Sequence, residues 1–455
     1  MTKRQARKSV HFIGIGGIGV SSLARWFLAQ KWAVSGSDAT RSELTDSLVK
    51  EGVKLKIGHS GGVPPAARLV IYSNAIKPEN KELFEARKRK IEVLSYPEMV
   101  GRITREYKTI TVSGAHGKST TTALAALLLT SVGLDPTVIV GTKLKEFRNS
   151  NFRNGHGDYL VLEADEFKKA FLNYAPYCAI VTNIDREHLD CYRDLADIKK
   201  TFLRFLAQTQ VGGSLILNRD NEYLFSLKGK IETLVRKNKL QLVWYSMDDS
   251  IAPAIRRTLQ IPGIHNASNA LAVYRLGALL EIPKRDILAS LGRYRGAWRR
   301  YERRGSFHSG GMAFTVFDDY AHHPTEIRAT IGAFREKFRG HLILPVFQPH
   351  HAERLKKLFK EFVGAFDEAD GLILLPTYRV KGRDEERGVM TANDLARAIG
   401  KKNRHLPLLY LEDPHSLSRK TLLKFTDSIL GKKHRIMVIM MGAGDIVSYT
   451  ERLLK

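Results

Sequence analysis

The residues best suited to chemistry sit where apolar runs end, and their types point to phosphate handling. Thr109–Thr122, TITVSGAHGKSTTT, joins a β-branched run to two glycines, Gly114 and Gly117, with His116 between them. Lys118, Ser119 and Thr120 follow, and then an apolar stretch, Ala123–Leu129. Strand, glycine loop, Lys-Ser and helix together form a phosphate cradle. Glycines let backbone N–H groups approach an anion, a helix N-terminus adds its dipole, and the lysine adds a point charge. The serine hydroxyl is a Mg²⁺ ligand in such loops. The loop reads G-x-x-G-K-S, because Val112 stands where the longer G-x-x-x-x-G-K-[ST] pattern has its first glycine. Further on, the run Tyr159–Leu162 ends in Glu163, Asp165 and Glu166, three carboxylates that suggest a Mg²⁺ site. The run Ala179–Thr182 leads into Asn183-Ile-Asp185-Arg-Glu187-His188. His188 reads equally as a structural histidine or a ligand near the phosphate loop.

A second glycine loop lies near the N-terminus. Val10–Gly19, VHFIGIGGIG, carries G-x-G-x-x-G at Gly14, Gly16 and Gly19, with Gly17 inside it. Asp38 lies nineteen residues past Gly19, where an acid that grips a ribose hydroxyl belongs. Leu69–Ser73 is another strand, with Ser73 and Asn74 at its C-terminal edge, where ligands of open α/β sheets gather. This loop alone accepts any nucleotide diphosphate. Two such loops imply two nucleotides, which argues against a simple dehydrogenase.

These residues need elements to hold them. Helices are expected over Val20–Gln30 and after Ser119, and a strand over Ala33–Gly36; Tyr96–Tyr107 reads as a connection. In IPGIHNASNALA, His265 and Asn269 are four residues apart and share a helical face. Asn269 suits either an adenine edge or a helix cap. From Arg293 onward, strands at Met312–Phe317, Leu342–Phe347, Gly371–Leu375 and Ile436–Met441 alternate with helical stretches at Thr325–Phe338 and Ala352–Phe366. That alternation predicts another mainly parallel α/β domain. Its strand ends carry Asp318, His322, His323, His350 and, further on, Arg354. The paired histidines lack the spacing of a zinc site.

Composition bounds the rest. At 455 residues with 43% hydrophobic content, two to four domains with packed cores are expected. No apolar run reaches membrane-spanning length, and the basic N-terminus lacks a continuous apolar signal segment. With Cys178 and Cys191 thirteen residues apart and no CxxC, a reducing, cytoplasmic setting is expected. The net charge of +26 calls for anionic partners. The basic pairs, such as Lys3-Arg4, Arg299-Arg300 and Lys432-Lys433, are dispersed without interleaved aromatics, which argues against a nucleic-acid surface.

Taken in order, HFIGIGGIG, GAHGKSTTT, EADE, TNIDREHLD, GIHNASNA, RRYE, DDYAHHPTE and FQPH resemble the Mur ligases, and DDYAHHPTE with FQPH resembles the alanine-adding branch. The resemblance implies an N-terminal Rossmann-like domain (1–106), a central P-loop ATPase (107–299) and a C-terminal Rossmann-like α/β domain (300–455). It implies UDP-N-acetylmuramic acid, L-alanine and ATP as reactants, with Mg²⁺ or Mn²⁺. Neither nucleic acid nor membrane insertion is implied, and the protein would be a monomer or homodimer. Gly14, Gly16, Gly17, Gly19, Asp38, Ser73 and Asn74 would hold the UDP-sugar. Gly114, His116, Gly117, Lys118, Ser119 and Thr120 would hold the ATP phosphates, Lys118 acting with Glu163 and His188 in catalysis. Ser119, Glu163 and His188 would bind the metal. His265 and Asn269 would face adenine, Arg300 would reach the nucleotide, and Asp318, His322 and His323 would close over ATP. His350 and Arg354 would line the amino-acid pocket.

The chain departs from the family pattern at Ala115 and Ser119, where threonines are usual, and Ser119 keeps the hydroxyl. It departs also at Lys168, where an acid is common, and at His351, where an arginine is common. Trp244–Pro262 is shorter than usual. The runner-up is the ligase that attaches a recycled tripeptide to the same sugar.

Overall fold

The computed structural model describes residues 8–59, 62–379, 390–429 and 435–455. Lys3, Arg4, Lys432 and Lys433 therefore lie outside the described residues. Among the described residues, eighteen strands form three sheets. The first contains β1 (Ser9–Ile13), β2 (Ala33–Asp38), β3 (Lys54–Ile57), β4 (Leu69–Tyr72) and β5 (Glu92–Ser95). All pairings are parallel, in the order β3-β2-β1-β4-β5. The chain winds outward from β1 to β3, then crosses back to β4. The reversal opens a crevice at the C-terminal ends of β1 and β4, where Gly14 and Ser73 stand.

The second sheet contains β6 (Lys108–Ser113), β7 (Thr137–Leu144), β8 (Ser150–Arg153), β9 (Tyr159–Glu163), β10 (Cys178–Val181), β11 (Ser214–Asn218) and β12 (Gln241–Tyr245). Its order is β12-β11-β10-β6-β9-β7-β8, so β6 is central and parallel to both β9 and β10. The register pairs Val112 with Glu163 and Ser113 with Val181. The acids that end β9 thus lie beside the glycine loop that ends β6. β6, β9 and β10 are almost wholly buried, as strands covered on both faces must be.

The third sheet contains β13 (Glu302–Ser309), β14 (Met312–Asp319), β15 (Leu342–Phe347), β16 (Leu372–Leu374), β17 (Leu408–Tyr410) and β18 (Arg435–Met441). Its order is β13-β14-β18-β15-β16-β17, parallel except for the β13–β14 hairpin. One face packs Phe317, Ile327, Ile331, Phe334 and Phe347. The other packs Phe314, Val316, Ile446 and Tyr449.

These sheets fall into two compact units. The first comprises the described residues up to Asp185, with Ala196–Ser246 and Ala272–Ser290, and carries the first two sheets. The second comprises Arg186–Leu195, Met247–Leu271 and Leu291–Lys455, and carries the third.

Two sequence expectations need correction. Tyr96–Tyr107 is not a bare connection, because it contains a helix over Tyr96–Ile103. Ser95 accepts from the Glu98 N–H, Glu98 accepts from the Ser95 N–H, and Pro97 sits in the first turn, so the start is fixed by a reciprocal cap. Ala352–Phe366 is broken into two short helices, Ala352–Lys357 and Phe359–Val363. Among the described residues no helix is long and apolar enough to cross a membrane.

Candidate active site

The loop after β6 is built to face an anion. Gly114 has φ +137, and a Cβ there would overlap the Thr182 hydroxyl. Gly117, at φ 82, turns the chain into the helix Lys118–Ser131. Only glycine takes both positions without strain. The end of β10 braces the loop. Asn183 accepts from the His116 N–H at 2.8 Å and donates to the His116 carbonyl at 2.9 Å. The Thr182 hydroxyl donates to that same carbonyl at 2.6 Å, and the His116 ring contacts Asp185 at 2.8 Å.

Lys118 lies in this cradle with its ammonium turned to the end of β9. It donates to both Glu166 oxygens, at 2.9 and 3.1 Å, and to the Gly114 carbonyl at 2.7 Å. Burial pulls its pKa down, but attraction to Glu166, Asp165 and Glu163 outweighs burial and holds it above the ordinary lysine value. Beside it, the Ser119 hydroxyl donates to Glu163 at 2.9 Å, and the other Glu163 oxygen accepts from the Gly141 N–H at 2.7 Å. A hydroxyl and a carboxylate converging at a phosphate loop are hard oxygen donors, the type that suits Mg²⁺. Thr120 lies in the first turn of that helix and is buried.

At the first sheet, the Gly14 and Ile15 N–H groups donate to the Ser37 carbonyl. The Gly16 N–H donates to Asp38 at 2.7 Å, so Asp38 secures the loop as well as standing at its rim. Gly19 leaves room for the Tyr96 ring, which a Cβ there would meet at 2.9 Å. Burial, then Glu163 and Asp165, push the Tyr96 phenol well above its usual value. The two glycine loops of this unit are therefore electrostatic neighbours through Tyr96. Behind Asp38, the Ser37 hydroxyl donates to buried Glu82 at 2.5 Å and contacts His59 at 2.9 Å. Sequence reading missed both Tyr96 and this trio, in which Ser37 and Glu82 are buried and His59 is partly exposed.

In the second unit, Arg354 donates to Glu187 through Nη2 at 2.5 Å and Nε at 3.1 Å, and to the His350 carbonyl at 3.2 Å. Burial opposes the Glu187 charge, but Arg354 and the neighbouring histidines hold the carboxyl well below its usual range. His350 stacks on Tyr378 with ring centroids 5.5 Å apart. Burial, reinforced by His322 and Arg354, lowers the His350 pKa to about 3. Burial and Arg354 lower His322 to about 4. His323 caps the helix Pro324–Lys337, accepting from the Thr325 N–H. Arg299 and Arg300 both lie over the Tyr320 ring, at 5.0 and 5.3 Å.

Asp318 is not brought to this cluster. Alternation along β14 turns it to the face of the helix Ile446–Leu454, where Thr450 and Arg304 each bond it at 2.5 Å. Asp319 takes the other face and accepts from Thr330. His188 belongs to this unit, as do His265 and Asn269. Asn269 lies beyond the first turn of the helix Ile264–Leu279, so it is no cap. Burial lowers His265 to about 4, and its Nδ1 is buried without a hydrogen-bond partner among the described residues.

Three family descriptions match the chain in succession: the Mur ligase family catalytic domain over 9–108, the Mur ligase middle domain over 112–277, and the Mur ligase glutamate ligase domain over 299–444. A UDP-N-acetylmuramate–L-alanine ligase of Clostridium perfringens is 34% identical over 99% of both chains. The chain belongs to the Mur ligase family. Another ligase of that name, from Desulfosudis oleivorans, is 38% identical over 98% of this chain and 97% of its own. Among solved Mur ligases, the UDP-N-acetylmuramate-alanine ligase of Thermotoga maritima superposes with a TM-score of 0.75 at 25% identity, covering 98% of each chain. The murein peptide ligase of Psychrobacter arcticus shares the fold, with a TM-score of 0.65 at 20% identity. The three-domain α/β organisation is that of the family.

Proposed function

We propose that this chain joins L-alanine to the carboxylate of UDP-N-acetylmuramic acid, driven by ATP through an acyl phosphate, in peptidoglycan precursor synthesis. One observation carries the reading. Lys118 and Ser119 are held against Glu166 and Glu163 in a chain 34–38% identical, nearly end to end, to ligases named for those two substrates.

The Gly14–Gly19 loop, with Asp38, Ser73 and Asn74, takes the UDP-sugar. The Gly114–Thr120 loop takes the ATP phosphates. A carboxylate oxygen of the sugar displaces ADP from the γ-phosphorus, giving an acyl phosphate. The alanine amine adds to the acyl carbon; loss of a proton from nitrogen and departure of phosphate leave the amide. Carboxylate and triphosphate repel each other, and Lys118 offsets that repulsion inside a protected site. Mg²⁺ held by Ser119 and Glu163 would supply further positive charge to the phosphate oxygens. His265 and Asn269 take the adenine, with Arg300 reaching the nucleotide. His350 and Arg354 form the amino-acid end, Arg354 pairing with the alanine carboxylate. His322 and His323 position the loop that carries them. We place the enzyme in the cytoplasm, where its nucleotide substrates are.

Phosphate release should require UDP-N-acetylmuramic acid, ATP and L-alanine together, measured across a panel of amino acids. Release with L-alanyl-γ-D-glutamyl-diaminopimelate but not with alanine would replace this reading by that of a recycling ligase.

A further inference from the structure

The loop leaving β9 carries an ammonium group that the mechanism above does not use. After Glu163, Asp165 and Glu166 the chain turns through two successive left-handed residues, Lys168 (φ 50, ψ 27) and Lys169 (φ 59, ψ 26). Non-glycine residues rarely adopt that conformation, and two in succession persist only where the surroundings impose it. Here they part the two side chains. Lys169 lies 3.6 Å from Asp197. Lys168 instead reaches the first sheet and donates to the Asn74 carbonyl at 2.9 Å.

That carbonyl marks the crevice of the first sheet. Asn74 follows Ser73, whose Cβ lies 3.0 Å from where a side chain on Gly14 would begin. Lys168 is exposed, and among the described residues it pairs with no carboxylate, whereas Lys118 and Lys169 each have one. An ammonium bonded to a neutral carbonyl, with the Phe167 ring 5.7 Å away, keeps donors for an anion. The acids on the same loop would otherwise repel a negatively charged sugar nucleotide.

We propose that Lys168 binds an anionic oxygen of the UDP-sugar, the diphosphate or the sugar carboxylate, and so fixes that substrate beside the ATP loop. The proposal rests on the substrate assignment above. It makes Lys168 a binding residue contributed to the first sheet's site by the second sheet.

The test compares Lys168→Ala, Lys168→Met and Lys168→Arg with the unaltered protein. Calorimetry measures binding of UDP-N-acetylmuramic acid and of UDP-N-acetylglucosamine, which lacks the carboxylate. Turnover gives the KM for ATP. Alanine and methionine should weaken UDP-N-acetylmuramic acid binding roughly tenfold, arginine should restore most of it, and the KM for ATP should stay put. Equal weakening for both sugar nucleotides assigns the lysine to the diphosphate; weakening for the muramic acid form alone assigns it to the carboxylate. Unchanged sugar-nucleotide affinity would overturn the proposal. So would a lowered melting temperature with a raised KM for ATP and no rescue by arginine, which would make Lys168 a structural clamp. If the unaltered protein binds the sugar nucleotide but forms no product with alanine, the functional reading fails while the binding comparison still decides the role of Lys168.

Discussion

Glu166 holds Lys118 through both carboxylate oxygens, so Glu166→Gln should tighten ATP binding. The carboxylate contacts the ammonium through both oxygens, at 2.9 and 3.1 Å, and both side chains are nearly sealed from water. At an effective dielectric of about 20, unit charges some 4 Å apart attract by about 4 kcal/mol before desolvation. A charge-assisted hydrogen bond nets about 1.5–3 kcal/mol. To take a phosphate, Lys118 must give up that bond, and the phosphate must approach a carboxylate. Glutamine keeps a neutral bond to the lysine and removes the repulsion. The expected gain is therefore roughly tenfold to a hundredfold in affinity. The assay is calorimetry with ATP in the absence of divalent metal and sugar nucleotide, so that only the transfer of Lys118 is read. Ligation should fall even as binding tightens, because the acid that orders the lysine is gone. An ATP affinity that is unchanged or weaker, in a variant with an unchanged melting temperature, would refute the idea that Glu166 competes for Lys118.

Lys118→Ala should abolish ATP-dependent ligation while leaving UDP-sugar binding nearly intact; substantial residual product in a phosphate-release assay would remove the lysine from the reaction. Asp38→Ala should raise the KM for the UDP-sugar without changing that for ATP, because the carboxylate secures the Gly16 N–H of the first loop and no part of the second; steady-state kinetics with each substrate varied decides it. His322, lowered from 6.5 to about 4, is neutral in the fold, so the unfolded chain binds more protons between those values. Its contribution is present above pH 6.5 and is lost as pH falls toward 4. At 1.36 kcal/mol per pKa unit the whole effect is about 3 kcal/mol at most. His322→Asn should flatten the acid limb of urea midpoints measured from pH 7 to pH 4, and an unaltered slope would show that His322 does not supply it.

The strands and glycine loops were legible because their signals are local. β6 is a β-branched run that stops at the glycine loop, β15 is an apolar run that stops where polar residues begin, and Lys118–Ser131 starts where Gly117 releases the chain. The helix at Tyr96–Ile103 left a local signal too, Ser95 three residues before Glu98 with Pro97 between, but its short apolar face gave no long period to notice. Other features have no sequence counterpart. Which face of β14 Asp318 takes depends on register with β13 and β18, and a one-residue shift would exchange it with Asp319. The bond between Lys168 and Asn74 spans 94 residues and depends on two left-handed residues that no lysine pattern announces. Tyr96 shows the same limit. Its ring fills the space that Gly19 leaves, and only a folded backbone brings the two together.

Each unit keeps a buried cation on an acid of its own. Lys118 rests on Glu166 in the first, and Arg354 rests on Glu187 in the second. A buried charge without a partner is far more costly than one that exchanges partners. Under the proposed reaction both cations are destined for anions, phosphate for Lys118 and the alanine carboxylate for Arg354. Binding then exchanges one anion for another, so neither cation need lose its partner without gaining another. The exchange also costs affinity, because each substrate must outcompete a tethered carboxylate. Only a ligand with more than one negative oxygen, or with further contacts elsewhere, does so readily. That selects for triphosphate over smaller phosphates at the first acid, and for an amino acid whose amine and side chain are also held at the second. Lys168 needs no such arrangement, since water already solvates its ammonium.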